Sequence, residues 1–142
     1  MRPKSIVLFE RLVLASILLG LVGAYLAWEH TQALLSAQNS PLGSSSVLVI
    51  QGITILLYLL LIYFIARRGS PVAKWIYVVL AGLGLVLGAV GIGQAFELGT
   101  LSGVISIVQL IITAATLWLL FRPDSKAWFS EGRGEVDVET FR

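Results

Sequence analysis

The sequence predicts an all-α, polytopic membrane protein in which four transmembrane helices form an antiparallel bundle. Of its 142 residues, 57% are hydrophobic and only 13% are charged, whereas a soluble domain has about a quarter charged residues. The charges also lie outside four long uncharged segments, each near the ~20 residues with which a helix crosses a bilayer. These two observations exclude a soluble globular enzyme, and the high apolar content excludes a disordered chain.

The four uncharged segments are spans 1 to 4, and each is expected to be helical because backbone groups in lipid must be satisfied internally. Their approximate bounds are residues 12–28, 47–66, 75–96 and 99–121. Pro123 ends or kinks span 4, and Trp128 and Phe129 are expected to return to the membrane interface, so residues 123–129 form an interfacial segment. Residues 1–129 are thus one transmembrane domain, and residues 130–142 are predicted to be a flexible cytoplasmic tail.

The distribution of Lys and Arg predicts the orientation. All ten of these residues lie before span 1, between spans 2 and 3, or after span 4. Basic loops stay in the cytoplasm, so both termini are predicted to be cytoplasmic. Aromatic residues near the ends of the spans, including Trp75, Tyr77 and Trp118, are expected at the interfaces. The basic excess is explained by this topology and by anionic lipid headgroups, so the lipid bilayer is the predicted partner and nucleic acid is not.

Spans 1 and 3 are similar in sequence. The segment Leu18–Glu29 aligns with Val86–Glu97, and Leu19, Gly20, Val22, Gly23, Ala27 and Glu29 have identical counterparts. The similarity suggests two tandem helical hairpins related by a pseudo-two-fold axis along the membrane normal. The alternative is chance, because Gly, Leu and Val often match between membrane helices.

Small residues recur at steps of three and four along spans 1 and 3. They include Gly20, Gly23, Ala81, Gly84, Gly88 and Gly91. Small residues on one face let helix backbones approach closely, which favours helix association in lipid. We expect packing within the bundle, with homodimerisation through the same face as the alternative.

A polar stripe runs along span 4, and a shorter one along span 2. Together they contain Gln51, Thr54, Ser102, Ser106, Gln109, Thr113 and Thr116. Unpaired polar groups are penalised in lipid, so these faces should point into the bundle or at a partner. Three interpretations stay open: hydrogen bonds that hold the bundle together, a polar pathway for a solute, or a docking face for another membrane protein. Ser and Thr can also bond to carbonyls of their own helix.

Two acidic residues occupy matching positions at the outer ends of spans 1 and 3. These are Glu29, which His30 follows directly, and Glu97. A carboxylate at a helix C-terminus meets the unfavourable end of the helix dipole, and no basic residue lies on this side. The three residues are candidates for a cation or proton site, and solvated loop residues without a ligand are the alternative. On the basic side, Glu10 is expected to pair with Arg11, Arg67 or Arg122.

The two ends of the chain carry a resemblance. The sequence Leu-Phe-Arg-Pro-Asp-Ser-Lys-Ala-Trp-Phe at residues 120–129 resembles the ending of many small four-span bacterial inner-membrane proteins of unknown function. The opening Arg2-Pro3-Lys4-Ser5, followed by Phe9-Glu10-Arg11, is similar to the start of the same group. The resemblance implies location in a bacterial inner membrane, and it transfers no site residues.

The residue inventory argues against catalysis. The chain has no cysteine and a single histidine, and it shows no nucleophile–base pair and no phosphate-binding glycine loop. No cofactor and no metal-ligand cluster are predicted. We expect a non-catalytic integral membrane protein that is an accessory, scaffold or oligomeric component, either a homo-oligomer or part of a larger membrane complex. The alternative is a small transporter or channel for a cation, a proton or a small solute.

Overall fold

The computed structural model describes residues 3–37 and 43–137, and these residues form a helical bundle without strands. The helices are α1 (Lys4–Leu26), α2 (Trp28–Ala37), α3 (Ser44–Arg68), α4 (Pro71–Glu97), α5 (Thr100–Leu120) and α6 (Pro123–Asp137). Four of them, α1, α3, α4 and α5, are long and apolar enough to cross a membrane. They correspond to spans 1 to 4, so the predicted all-α polytopic bundle is confirmed.

The first helix is longer than the uncharged part of span 1, and it ends earlier. α1 begins at Lys4, because Ser5, Ile6 and Phe9 form a buried face ahead of the uncharged segment. It ends at Leu26, and α2 begins at Trp28 as a separate short helix that the sequence did not predict. The segment after span 1 is therefore helical rather than a loop up to residue 37.

The α3–α4 and α4–α5 connections are tight turns that depend on glycine. Gly69 follows α3 with φ 58° and ψ 28°, the left-handed conformation that commonly ends a helix. Ser70 then caps α4, with its Oγ accepting a hydrogen bond from the Ala73 N–H at 3.3 Å, and Pro71 begins the helix. Between α4 and α5, Gly99 has φ 133°, which residues with a side chain rarely adopt.

The antiparallel arrangement gives the bundle two chemically different ends. One end of the bundle carries the start of α1, the α3–α4 turn and the α5–α6 turn, with Arg67, Arg68 and Arg122, and we call it the basic end. The acidic end carries Glu29 and Glu97.

The buried apolar core lies in the half of the bundle nearest the basic end. Its members are Ile6, Phe9, Val13, Leu61, Ile62, Ile65, Ala66, Ala73, Tyr77, Ala81, Leu119, Leu120 and Phe129. Over residues 45–60 of α3, all of them described, no residue is buried. The four spans are therefore tightly packed near the basic end and more open towards the acidic end.

The helix α6 folds back across the basic end. Phe129 is only 4% exposed, and the Trp128 indole Nε1 donates a hydrogen bond to the Ile65 carbonyl of α3 at 3.1 Å. Ser125 Oγ donates to the Leu119 carbonyl at 2.7 Å. Phe129 thus packs against the protein core, whereas the sequence placed it at the lipid interface. Helix α6 continues to Asp137, into the segment predicted as a flexible tail, and residues 138–142 of that segment lie outside the described residues.

The two hairpins are not packed equivalently. Helix α5 contacts both α1 and α4 extensively, whereas α3 contacts the same two helices much less. A pseudo-two-fold axis would make α3 and α5 equivalent, so the sequence similarity of spans 1 and 3 is not matched in the packing. At Gly23 an added Cβ would lie 3.6 Å from Ile105 Cγ2 of α5, an ordinary contact distance, whereas an added Cβ at Gly52 of α3 would meet no atom within 4 Å.

Candidate binding cavity

A cavity of about 400 Å³ lies between the four spanning helices, on the acidic side of the core. Its walls combine the polar stripe of α5 with residues of the other three spans. They are formed by Val13, Ser16, Ile17, Gly20, Gln51, Thr54, Ile55, Tyr58, Tyr77, Gly84, Gly88, Gly91, Ser106, Gln109, Leu110 and Thr113. Within the described part of the chain, these walls contain no Asp, Glu, Lys, Arg or His. The cavity is therefore polar but uncharged.

Three aromatic residues close the cavity towards the basic end, and we call them the aromatic floor: Phe9, Tyr58 and Tyr77. Tyr77 is 2% exposed. It meets Phe9 edge-on, with ring centroids 5.0 Å apart, and Tyr58 edge-on at 5.9 Å. Such edge-to-face pairs are favourable beyond the area that they bury. The spacing of Tyr77 and Ala81, four residues apart, places both on the same helix face, so Tyr77 lies in the core although the sequence assigned it to the interfacial aromatics.

The hydrogen bond beneath the floor has a defined direction. Tyr77 Oη and Thr116 Oγ1 are 2.8 Å apart, and Thr116 Oγ1 also donates to the Thr113 carbonyl at 2.7 Å. A hydroxyl has a single hydrogen. Because Thr116 uses its hydrogen on the carbonyl, Tyr77 must be the donor to Thr116. The Tyr77 oxygen keeps its capacity to accept.

Gln109 crosses from α5 to α1 and carries an unpaired acceptor. Its Nε2 donates to the Ser16 carbonyl at 3.1 Å and to Ser16 Oγ at 2.8 Å, so both hydrogens of the amide are used. The amide passes close to Gly20, where an added Cβ would lie 3.6 Å from Gln109 Nε2, an ordinary contact distance. Gln109 Oε1 is buried and, among the described residues, has no hydrogen-bond partner. A buried acceptor left unpaired costs ~1–3 kcal/mol.

Three other hydroxyls of the polar stripe donate to their own helices. Ser106 Oγ donates to the Ser102 carbonyl at 3.0 Å, Thr113 Oγ1 to the Gln109 carbonyl at 2.8 Å, and Thr54 Oγ1 to the Ile50 carbonyl at 2.8 Å. Each oxygen then offers acceptor lone pairs but no hydrogen. The stripe therefore joins helices only through Gln109 and Thr116 in the described residues. Ser106, Thr113 and Thr54 therefore present accepting oxygens to the cavity, and Gln51, which also lines it, adds an amide that can both donate and accept.

The small residues divide between packing positions and cavity positions. Ala81 is buried in the core, and an added Cβ at Gly88 would lie 2.8 Å from Leu110 Cδ2 of α5. At Gly84 and Gly91, an added Cβ would meet no atom within 4 Å. The packing expected at these two glycines is not present, because they border the cavity rather than a neighbouring helix.

The outer acidic residues do not assemble into a metal site. Glu29, His30 and Glu97 are exposed, and the described residues contain no group of three His, Asp or Glu side chains that could hold a metal ion. Glu29 lies in the first turn of α2, which is the favourable end of a helix dipole for a carboxylate. The predicted unfavourable placement is thus wrong for Glu29, because a new helix begins at Trp28. On the basic side, Glu10 lies 4.0 Å from Arg67, one of its three predicted partners.

The four spans and the uncharged cavity between them define an integral membrane protein with a candidate binding site inside the membrane-spanning region. Comparison with protein-family models, with curated proteins and with solved structures gives no match for this chain.

Proposed function

We propose that the protein is a non-catalytic accessory component of a bacterial inner membrane, which holds a small molecule in the cavity and does not conduct it across the membrane. The observation that carries the proposal is a cavity walled by all four spans and closed at the basic end by the aromatic floor. Small-molecule sites in proteins are concave, mostly apolar and equipped with a few convergent polar groups, and they have volumes of ~300–1,000 Å³. The cavity fits this description.

The chemistry of the walls supports binding rather than catalysis. The cavity contains hydroxyl and amide groups but, among its described lining residues, no carboxylate, imidazole or amine. A serine, threonine or tyrosine needs an adjacent general base to act as a nucleophile. Ser106 and Thr113 instead donate to carbonyls of α5, so their oxygens have no base to receive a proton.

A transporter or channel is the second candidate, and the aromatic floor argues against it. Passage to the basic end would require Tyr77 to leave its hydrogen bond with Thr116 and its ring contacts with Phe9 and Tyr58. A transporter would therefore have to open this floor, whereas a binding component can leave it closed. Association with a second copy or with a larger complex stays a prediction, which co-purification in mild detergent tests.

The orientation is proposed with the basic end in the cytoplasm. The positive side chains at the α3–α4 and α5–α6 turns support this orientation, because basic segments are retained on the cytoplasmic side. The less tightly packed acidic half of the bundle, where the cavity lies, would then face the outside of the cell.

Single cysteines test both access and orientation, because the native chain contains none. Gly91→Cys would place a thiol in the cavity, and Val90→Cys would place one on the adjacent surface, where Val90 is 80% exposed. We expect a membrane-impermeant methanethiosulfonate to label Gly91→Cys in intact cells. Val90→Cys should stay unlabelled, since a thiol in lipid does not ionise.

Two end positions complete the experiment. Glu97→Cys at the acidic end should be labelled in intact cells, and Arg68→Cys at the basic end only after permeabilisation. Labelling of Gly91→Cys from the cytoplasmic side of inverted vesicles would favour a transporter or channel. Absence of labelling at Gly91→Cys from either side would contradict a solvent-accessible binding cavity.

A further inference from the structure

We infer that Lys74 and Lys126 bind the phosphate group of an anionic phospholipid, where the first turn of α4 meets α6 at the basic end. This site is separate from the cavity, and the inference does not depend on the function proposed for the cavity. It follows from two ammonium groups that have no counter-ion and from the exposed aromatic rings beside them.

Lys74 is a charged side chain in an apolar environment. It is only 8% exposed, and its Nζ lies 4.7 Å from the ring centroid of Phe121, 4.9 Å from that of Phe129 and 5.9 Å from that of Trp75. Aromatic rings attract a cation but carry no net charge. They therefore hold the ammonium group in place without neutralising it, whereas buried charges in proteins are ordinarily paired.

No carboxylate neutralises this ammonium group within the described residues. The ion pairs formed there join Glu10 and Asp124 to arginines, and the Lys74 side chain takes part in no hydrogen bond and no ion pair. Lys126 of α6 lies close enough for its positive charge to act on Lys74, and it likewise has no ion-pair partner in the described part of the chain. Lysine is a common ligand of phosphate, so two neighbouring lysines without a counter-ion are complementary to a phosphate group.

The ammonium group of Lys74 can be reached from outside the protein. Within the described residues, Gln109 Oε1 is the one side-chain nitrogen or oxygen that combines complete burial with the lack of a hydrogen-bond partner. Lys74 Nζ also lacks a hydrogen-bond partner, so it must keep accessible surface. Lys126 is exposed. An anion can therefore approach both ammonium groups.

The surroundings of the two lysines favour a lipid over a soluble anion. Trp75 and Phe121 are exposed, and their rings meet edge-on with centroids 6.1 Å apart. Trp118 is exposed as well, and the Arg122 guanidinium lies 5.0 Å from its ring centroid. Exposed aromatic rings are typical of the headgroup region, which is where phospholipids carry their phosphate. In the proposed orientation the basic end adjoins the cytoplasmic leaflet, which has a negative surface potential.

The test compares two lipids that have the same acyl chains. Dioleoylphosphatidylglycerol has a net negative headgroup, whereas the choline of dioleoylphosphatidylcholine neutralises the phosphate. The whole chain is released from detergent in a native mass spectrometer with an equal mixture of both lipids, and the ratio of bound phosphatidylglycerol to bound phosphatidylcholine is measured. We expect the wild type to prefer phosphatidylglycerol. Lys74→Met should lower this ratio by about tenfold or more, because one hydrogen bond to a charged group is lost.

Three further variants locate the preference. Lys74→Arg keeps the charge and should retain most of the preference for phosphatidylglycerol. Lys126→Met removes the exposed ammonium group and should lower the ratio by about twofold to fivefold. Arg68→Met is the matched control, because it removes an exposed positive charge that lies over the Phe64 ring at the same end. It should leave the ratio within about twofold of the wild-type value.

A second measurement separates a lipid from a soluble phosphate. Inorganic phosphate is added to the lipid-free protein in detergent, with sodium chloride at equal ionic strength as the control. If the ligand is a lipid, Tm should be the same in both solutions. A higher Tm in phosphate that Lys74→Met abolishes would assign the site to a soluble phosphate and would overturn the lipid assignment.

The remaining outcomes are equally decisive. The inference is overturned if the wild type binds both lipids equally or if Lys74→Met keeps the wild-type ratio. It is also overturned if Arg68→Met lowers the ratio as much as Lys74→Met does, because the preference would then come from the general positive charge of the basic end. If Lys74→Met does not fold, Lys126→Met decides, and an unchanged ratio for that variant overturns the inference.

Discussion

Substitution of Gly103 by alanine should destabilise the bundle, although alanine normally favours a helix. Gly103 lies in the first turns of α5 and is covered by the Phe96 side chain from the end of α4. A Cβ added at Gly103 would collide with the Phe96 ring and would lie 2.5 Å from Phe96 Cγ. Because Cγ is the root of the ring, small movements of the ring tip cannot relieve this contact, and the whole side chain must leave its rotamer.

Two opposing contributions determine the magnitude. An off-rotamer or displaced side chain at an overpacked position costs ~1–3 kcal/mol. Replacing glycine by alanine within a helix returns at most ~1 kcal/mol. The net loss expected for Gly103→Ala is therefore about 0–2 kcal/mol. The matched change Gly84→Ala meets no atom within 4 Å, so it should be stabilising by up to about 1 kcal/mol.

A double-mutant cycle with Phe96→Ala isolates the contact. Once the ring is removed, Gly103→Ala should become favourable, and the interaction energy between the two positions should be about 1–3 kcal/mol. The free energies of unfolding are measured by reversible unfolding in mixed detergent micelles, monitored by circular dichroism. Additive effects of the two substitutions, or a stabilising Gly103→Ala in the presence of Phe96, would refute the reasoning.

Two further predictions concern the basic end. The hydrogen bond from Ser5 holds the pKa of Asp124 below its ordinary value of 3.8. The stabilisation that this bond gives to the folded protein is therefore present above pH 3.8, and it is lost as the pH falls through the lowered pKa. Ser5→Ala should therefore lower Tm at pH 7, and the difference from the wild type should vanish at strongly acidic pH. A difference that persists there would show that the bond acts independently of the carboxylate charge. Lys74 Nζ lies 4.7 Å from the Phe121 ring centroid and 4.9 Å from that of Phe129, so Lys74→Met, which keeps the stem and removes the charge, should lose cation–π attraction worth about 0.5–2 kcal/mol. An unchanged or higher Tm for Lys74→Met would contradict this assignment.

The four spans were predictable from the sequence because the hydrocarbon thickness imposes a minimum length on every uncharged helix. The ends of the helices were less accessible to this reasoning. α1 begins at Lys4, ahead of the predicted span, because Ile6 and Phe9 are buried by the protein while Lys4 and Arg11 on the same turns stay exposed. A criterion based on absence of charge cannot detect a helix that is apolar on one side only.

The composition of the cavity was predictable, but its existence was not. The polar stripe of α5 and the glycines of α4 were both identified from their spacing. Spacing alone cannot distinguish Gly88, which meets Leu110, from Gly84, which faces the cavity. That distinction depends on how far α3 stands from its neighbours, which no local pattern encodes. Likewise, α2 begins at Trp28, so Glu29 lies at the start of a helix and not at the end of one. The hydropathy pattern does not indicate this helix boundary.

The contacts of α6 have a consequence for the order in which the protein is assembled during synthesis. The Ile65 carbonyl lies in the last turn of α3, where the Gly69 N–H donates to the Phe64 carbonyl, and it receives a hydrogen bond from Trp128. Ser5, near the start of α1, is bound by Asp124 of the same late segment. A ribosome therefore delivers the α6 residues that link α1 and α3 at the basic end only after all four spans have been made. Until then the basic end is held by contacts between the spans alone, such as that of Phe9 with Tyr77, so the spans can be inserted one after another and α6 docks on them as a late event.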